Sequence, residues 1–330
     1  MNIQNLCPFF GKCGGCLYQD MSDQAYRAHK ESFVLRSFAD RGLTPPVMPM
    51  REIPLRTRRR ASFAYAHGRI GYNALHSHQL IEITDCRLLK PSITTGLNWV
   101  RTWVKTLKGS GDIFMLDTPW GLDIHIRPVK GTSPNLTMRE HLALWAGVSR
   151  VARISYNNEP ILAKVSLPFL PDAFLQPSQE GEDILIDLVL KAAQGSRRAV
   201  DLFCGRGTFT RPLADAGIQI TGYDCARDSV SVLGPRGHVR DLFRNPLTSD
   251  ELAELDLIIL DPPRAGALTQ TQQIAETAVP KIIMVSCNPK TAARDCKILS
   301  DAGWVIESIT PVDQFKWSNH IELVCVLVKH

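Results

Sequence analysis

From residue 170 onward the chain alternates helical stretches with short apolar runs, and this alternation constrains its fold more than any other feature. The segments are EDILIDLVLKAAQ, AVDLFC, IQITGYD, LDLIIL, KIIMVS, WVIESIT and IELVCVLV. Their strands are apolar nearly throughout rather than at every second residue. Such strands are buried on both faces, which requires a sheet covered by helices on both sides. Residues 170–330 are therefore predicted to form a doubly wound, Rossmann-like α/β domain. In open sheets of this kind ligands gather beyond the carboxyl ends of the strands. Chemistry is expected in the residues that follow each run.

The first half reads differently. Residues 46–169 hold short β-like runs such as RRASFAYAHGRIGYN, QLIEITD, GLDIHIRP and ARISYN, punctuated by glycine, proline and asparagine. They predict a smaller, mostly antiparallel domain with a helix near SITTGLNWVRTWVKTL. Residues 1–45 carry a cysteine cluster and then DQAYRAHKESFVLRSFADRG, a helical pattern closed by Gly42. With 44% hydrophobic and 22% charged residues and no apolar run long enough for a bilayer, the chain is not a membrane protein. Its start lacks a basic-then-apolar signal, so cytoplasmic residence is the expectation. The net charge of +5 is mild, but RTRRR sets four arginines within residues 56–60, a basic strand suited to phosphates. The interleaved Phe63 and Tyr65 suit base stacking, although at strand spacing they equally suit a core.

Five features follow apolar runs or stand apart from them. In DLFCGRGTF, Gly205 and Gly207 allow a tight turn and close approach of a ligand, while Thr210 stands where a dinucleotide site has its third glycine. The next strand ends in Asp224, where an acid takes ribose hydroxyls. A turn with fewer glycines and a ribose-binding acid suits S-adenosylmethionine better than NAD. In LDPPRAG, two prolines stiffen the backbone after Asp261, and Arg264 follows. In VSCNPKTAARD, Cys287 ends a strand, Asn288-Pro289 breaks it, and the helix that begins there would favour a thiolate. Glu322 begins the last apolar strand; a carboxylate there is either ion-paired or used as a base. Finally, Cys7, Cys13 and Cys16 with Cys86 supply four thiolates, a set that serves tetrahedral zinc or an iron–sulfur cluster.

Together, CPFFGKCGGCLYQ, DLFCGRGTF, LDPPRAG, VSCNPKTAARD and DQF…NHIE resemble the RNA 5-methyluridine methyltransferase family, in that family's order and over nearly the whole chain. The resemblance is greatest to the bacterial 23S rRNA (uracil-5-)-methyltransferases that carry a cluster; the four-cysteine pattern separates these from bacterial tRNA enzymes. It implies Cys287 as nucleophile and Glu322 as base, with Gln176, Phe203, Asp224 and Asp261 contacting S-adenosylmethionine and Asp241 near its adenine. It also implies a 4Fe-4S cluster on Cys7, Cys13, Cys16 and Cys86, structural or RNA-orienting because methyl transfer involves no net redox change. The implied domains are a cluster segment over 1–45, an RNA-binding domain over 46–169 and the methyltransferase domain over 170–330, acting as a monomer on 23S rRNA. A short form without the additional amino-terminal β-barrel of some members is expected. Ser178, Thr208, Asp224 and FKWSNHIE depart from the family's usual residues, the last near the target base. Competing readings are the same chemistry on tRNA, an inactive iron–sulfur RNA-binding module, and an NAD-dependent oxidoreductase, which Thr210 disfavours.

Overall fold

A computed structural model describes residues 7–129, 136, 139–140, 142–144, 150–171 and 174–329; the first six residues of the cysteine segment lie outside the described residues. In chain order the chain forms helix α1 (Asp23–Ala39) and strands β1 (Arg51–Glu52), β2 (Arg60–Ala66), β3 (Arg69–Asn73) and β4 (Leu80–Ile81). Helix α2 (Pro91–Trp103) precedes β5 (Ser110–Thr118), β6 (Gly121–Pro128), β7 (Val151–Tyr156) and β8 (Glu159–Ala163). Helix α3 (Gln179–Ala192), β9 (Arg198–Leu202), helix α4 (Thr210–Asp215), β10 (Gln219–Asp224) and β11 (Gly237–Val239) follow. The chain ends with β12 (Leu257–Leu260), helix α5 (Leu268–Ala275), β13 (Lys281–Ser286), helix α6 (Pro289–Asp301), β14 (Val305–Asp313) and β15 (Glu322–Val328). These elements divide into two compact units, residues 1–22 with 54–180 and residues 23–53 with 181–330. Among the described residues no helix is long and apolar enough to cross a membrane.

The first unit is built on a seven-stranded sheet, order β4-β3-β2-β5-β6-β7-β8, antiparallel except for the β6–β7 pair. Its β2–β3 hairpin turns at His67-Gly68, both at positive φ, as a two-residue turn matched to strand twist requires. Alternation decides which face is buried: Ala61, Phe63 and Tyr65 of β2 point into a core shared with Ile93, Leu97, Val100 and Trp103 of α2. Phe63 and Tyr65 are thus core residues, not base-stacking ones. On β6 and β7, Asp123 and Arg153 stand opposite each other, and the buried guanidinium grips both carboxylate oxygens at 2.8 and 2.6 Å. Removing either partner would strand a buried charge, so the pair pins this parallel register.

The second unit carries an eight-stranded mixed sheet, order β1-β14-β15-β13-β12-β9-β10-β11. Strands β9 to β13 are parallel, and the central β12 and β13 are the most apolar; Leu257 to Leu260 are all buried, as the unbroken pattern requires of a sheet covered on both faces. One cluster joins one face to α1, α5 and α6, and another joins the other face to α3 and α4. The chain leaves β9 toward β10 and β11, then returns to lay β12 and β13 on the other side. That reversal opens a crevice at the carboxyl ends of β9 and β12. β15 runs antiparallel between β13 and β14, so its amino end lies at the same edge.

Because Phe63 fills the core of the first unit, Phe63→Ala is expected to lower unfolding stability by about 3–5 kcal/mol. RNA affinity measured on still-folded protein is expected to stay within about threefold of wild type. Urea unfolding and filter binding check this; a loss of affinity without loss of stability would return Phe63 to the RNA surface.

Candidate active site

Strand register, more than any single contact, assembles the site. Ser286 at the end of β13 pairs with Leu323 of β15, and continuing that antiparallel register by one residue sets Cys287 across from Glu322. Asp261 follows β12 directly, and Asp201 and Asp224 lie in β9 and at the end of β10. These groups sense one another's charge. The Cys287 thiol is pushed up to about 11 by burial, then by Glu322 and Asp261, against the lowering pull of Arg264. Asp261 is raised well above an ordinary aspartate by burial and by Glu322, Asp201 and Asp224. Burial pushes Glu322 up to about 7. The helix start expected to favour a thiolate at Cys287 is present, but desolvation and two neighbouring carboxylates outweigh it. Glu322 is buried, and no ion-pair partner serves it among the described residues. Of the two fates open to it in the sequence, salt bridge or base, the first is absent there.

The residues after Cys287 build the floor of this site. Asn288 caps α6 by accepting from the Lys290 amide at 3.2 Å, and its side-chain amide donates to the Arg264 carbonyl at 2.9 Å. Thr291 donates to the same carbonyl at 3.2 Å, Arg294 to the Ala265 carbonyl at 3.1 Å, and Asp295 accepts from the Ala267 amide at 2.8 Å. Gly266, at φ 76°, sits so close to Arg294 and Asp295 that a side chain there would collide with both. NPKTAARD is therefore a brace for PPRAG. It presents Arg264 toward Cys287, and two separate sequence motifs become one structural unit.

On the cofactor side, Gly205 lies at φ 52° with open space where a side chain would be, and its amide donates to Asp224 at 3.0 Å. Asp224 also accepts from the Ala226 amide at 2.8 Å, which fixes the loop after β10. Phe203 adopts φ 65°, a conformation costly for an aromatic residue, with its ring 5.2 Å from that of Phe243. Asp241 accepts from the Phe243 amide at 3.0 Å, beside that aromatic pair. Asp201 is fully buried; one oxygen accepts from Thr210 at 2.6 Å and the other has no hydrogen-bond partner, so its carboxyl is pushed up to about 7. A ring of acids short of positive charge, next to a glycine turn open to a ligand, suits a nucleoside that carries a sulfonium cation. Thr210, read in the sequence only as a missing glycine, is in fact the partner of Asp201.

The other predicted residues belong to the first unit. Gln176 is buried, and its carbonyl accepts from Arg59 at 3.0 Å. Arg59 also donates its amide to Pro177 at 2.8 Å and its guanidinium to Gln179. Arg60 reaches the Leu175 carbonyl and lies 5.0 Å over the exposed Phe174 ring, while Arg56 pairs with Asp85. Much of the basic run thus holds its own chain. Cys7, Cys13, Cys16 and Cys86 are free and half-buried; Cys13 bridges to Ala74 beside β3. Burial, then mutual charge among the four, pushes the Cys16 thiol up to about 12. Among the described residues no three cysteine, histidine or acidic side chains are grouped as ligands of a single metal ion.

Comparison with known proteins agrees with this geometry. A sequence model of the tRNA (uracil-5-)-methyltransferase family matches residues 238–330. Uncharacterised RNA methyltransferases of Agrobacterium fabrum and Brucella suis are 35% and 36% identical, covering 97% and 98% of this chain and 83% and 84% of their own. The 23S rRNA (uracil(1939)-C(5))-methyltransferase of Halomonas elongata is 27% identical over 97% of this chain and 76% of its own. The crystal structure of Pyrococcus abyssi tRNA (uracil-54, C5)-methyltransferase with S-adenosyl-L-homocysteine has a TM-score of 0.73 at 19% identity, covering 95% of this chain and 86% of its own.

The charge coupling at the site has a measurable sign. Ionised Glu322 holds the Cys287 thiol protonated, so Glu322→Gln is expected to speed iodoacetamide alkylation of Cys287 at about pH 8, by about tenfold for each pKa unit released. Near pH 6, below the value of about 7 for Glu322, the two proteins are expected to react alike. Peptide-resolved mass spectrometry measures both rates, and equal acceleration at both pH values would remove the coupling.

Proposed function

The chain belongs to the RNA (uracil-5-)-methyltransferase family, and within it we propose an enzyme that methylates carbon 5 of one uridine of 23S rRNA through a covalent adduct with Cys287. The observation that carries this reading is Glu322: a carboxylate buried without an ion pair among the described residues, raised to about 7, set across the sheet edge from a cysteine. A group of that kind accepts a proton near neutral pH.

Carbon 5 of uracil is a poor nucleophile. When the Cys287 sulfur bonds to carbon 6, the electron pair of the carbon 5–carbon 6 double bond moves into an enolate, and carbon 5 becomes nucleophilic. S-adenosylmethionine supplies an electrophilic methyl group, which carbon 5 takes, leaving S-adenosylhomocysteine. Glu322 then takes the proton from carbon 5, the double bond re-forms, and Cys287 leaves as thiolate. The raised thiol pKa fits this order, because a cation arriving among Asp201, Asp224 and Asp261 lowers the cost of a thiolate beside them. Phe203, Gly205, Asp224, Asp241 and Asp261 would hold the cofactor in the second unit.

Cys7, Cys13, Cys16 and Cys86 are proposed to hold a 4Fe-4S cluster. Four free thiols that feel one another's charge supply the number of thiolates a 4Fe-4S cluster takes. The 23S target rests on this cysteine set and on the Halomonas relative. The same chemistry on a tRNA uridine is the second reading, favoured by the family description that matches residues 238–330. Mass mapping of rRNA and tRNA from cells with and without the gene separates the two.

Cys287→Ala is expected to abolish methyl transfer while S-adenosylmethionine affinity changes less than about threefold. Single-turnover assays and calorimetry measure this, and residual transfer above about 1% of wild type would remove Cys287 from its role. Anaerobically purified protein is expected to be brown with about four irons per chain. Stoichiometric zinc without iron would overturn the cluster.

A further inference from the structure

Helix α1 carries a lysine where a helix face packed on a core should carry an apolar residue. Tyr26, Val34 and Phe38 on the same face are buried with it, yet Lys30 is only 1% exposed. Its ammonium donates to Asp313 at 3.0 Å, to the Phe315 carbonyl at 3.5 Å, and to the His320 carbonyl. The Tyr26 hydroxyl donates to the other Asp313 oxygen at 2.7 Å and accepts the Trp317 amide at 2.7 Å. These acceptors of the ammonium and these two partners of the hydroxyl all lie between residues 313 and 320.

That segment is the connection of the β14–β15 hairpin. Asp313 ends β14, Glu322 begins β15, and Val312 and Glu322 are paired. The loop between them is not one that relaxes into place alone, because Trp317 sits at φ 61°, which a bulky side chain adopts only when its surroundings impose it. The amide of that residue is the one Tyr26 holds. Burying the Lys30–Asp313 pair gains little stability, since desolvation offsets the attraction. Desolvation lowers the pKa of Lys30 and Asp313 raises it again, as in a pair that stays charged only through its partner. A buried pair of this kind is better explained by the conformation it selects.

We propose that Tyr26, Lys30 and Asp313 are positioning residues that hold the β14–β15 loop in the shape that aims Glu322 at the carbon 5 proton. This rests on the reading of Glu322 as the base. Among the described residues, the hydrogen bonds of Lys30 and Asp313 run to Tyr26 and to residues 313–320 rather than to Cys287 or the loops after β9 and β10, so addition to carbon 6 and methyl transfer are expected not to depend on them. Proton removal does, because a base displaced by about 1 Å loses much of its effect. Loosening the loop is therefore expected to slow only the last step, and the methylated RNA stays bonded to Cys287.

The double variant Lys30→Met/Asp313→Asn removes the tether without leaving a buried charge, and Tyr26→Phe removes only a hydroxyl. Folding is checked by circular dichroism and melting. Each variant is assayed with S-adenosylmethionine and rRNA from cells lacking the gene. First-turnover methyl transfer is expected within about threefold of wild type, and steady-state turnover about tenfold lower or more. A covalent complex is expected to accumulate on denaturing gels, with KM for RNA and cofactor changed less than about threefold. If first-turnover and steady-state rates fall together, if KM alone changes, or if turnover is unaltered, the positioning role is wrong. Should the double variant fail to fold, Tyr26→Phe decides by the same readouts. Glu322→Gln run alongside keeps the two ideas apart: if it stalls as an adduct and the tether variants do not, only the positioning role falls. If Glu322→Gln itself turns over without adduct, the base assignment falls first.

Discussion

Carboxylates buried beside a thiol, with Arg264 as the cation acting on that thiol, leave the carboxyl edge of the eight-stranded sheet short of positive charge. The energetics of the second unit centre on that shortage. Asp201, Asp261 and Glu322 are all raised, and Cys287 is held as a thiol. Such an edge is costly to fold unless it serves a ligand. A sulfonium relieves it, because a single positive charge among these acids lowers every one of their pKa values and that of the thiol together. On the proposed reading, cofactor arrival would favour the Cys287 thiolate through charge alone.

The scaffold makes this arrangement rigid by simple means. Parallel strands β9 and β12 end level and β13 runs two residues past them, so the residues after all three share one edge. The antiparallel β15 returns to that edge and brings Glu322 opposite Cys287. The helix after Cys287 then spends Asn288, Thr291, Arg294 and Asp295 on bracing the loop that carries Arg264. On the other flank, α1 spends Tyr26 and Lys30 on the loop before Glu322. The loop beside Cys287 and the loop before Glu322 are each held from outside the sheet.

Much of this was legible in the sequence because it follows from local pattern. The continuous apolar runs predicted the covered sheet, and strand-end placement singled out Cys287, Asp224 and Asp261. What escaped has a common cause: it depends on partners far apart in the chain. Lys30 and Asp313 are separated by 283 positions, and nothing local distinguishes Lys30 from a solvated helix lysine. Phe63 and Tyr65 alternate with Ser62, Ala64 and Ala66, and alternation alone does not say which face meets α2. The arginines of RTRRR looked like a phosphate site, but Arg59 and Arg60 are engaged with residues 174–179. The thiolate expected at Cys287 is disfavoured first by burial and then by two acids, one just after β12 and one in β15, that no local pattern places beside it.

The central claim is that the methyl group replaces the hydrogen of carbon 5, with that proton leaving in every turnover. RNA from cells lacking the gene, labelled with tritium at carbon 5 of uridine, measures this directly when methyl incorporation and tritium release to water are counted together. The account predicts about one tritium released for each methyl transferred, since the proton is exchanged for the methyl at one carbon. Methylation of the RNA without release of tritium would contradict it.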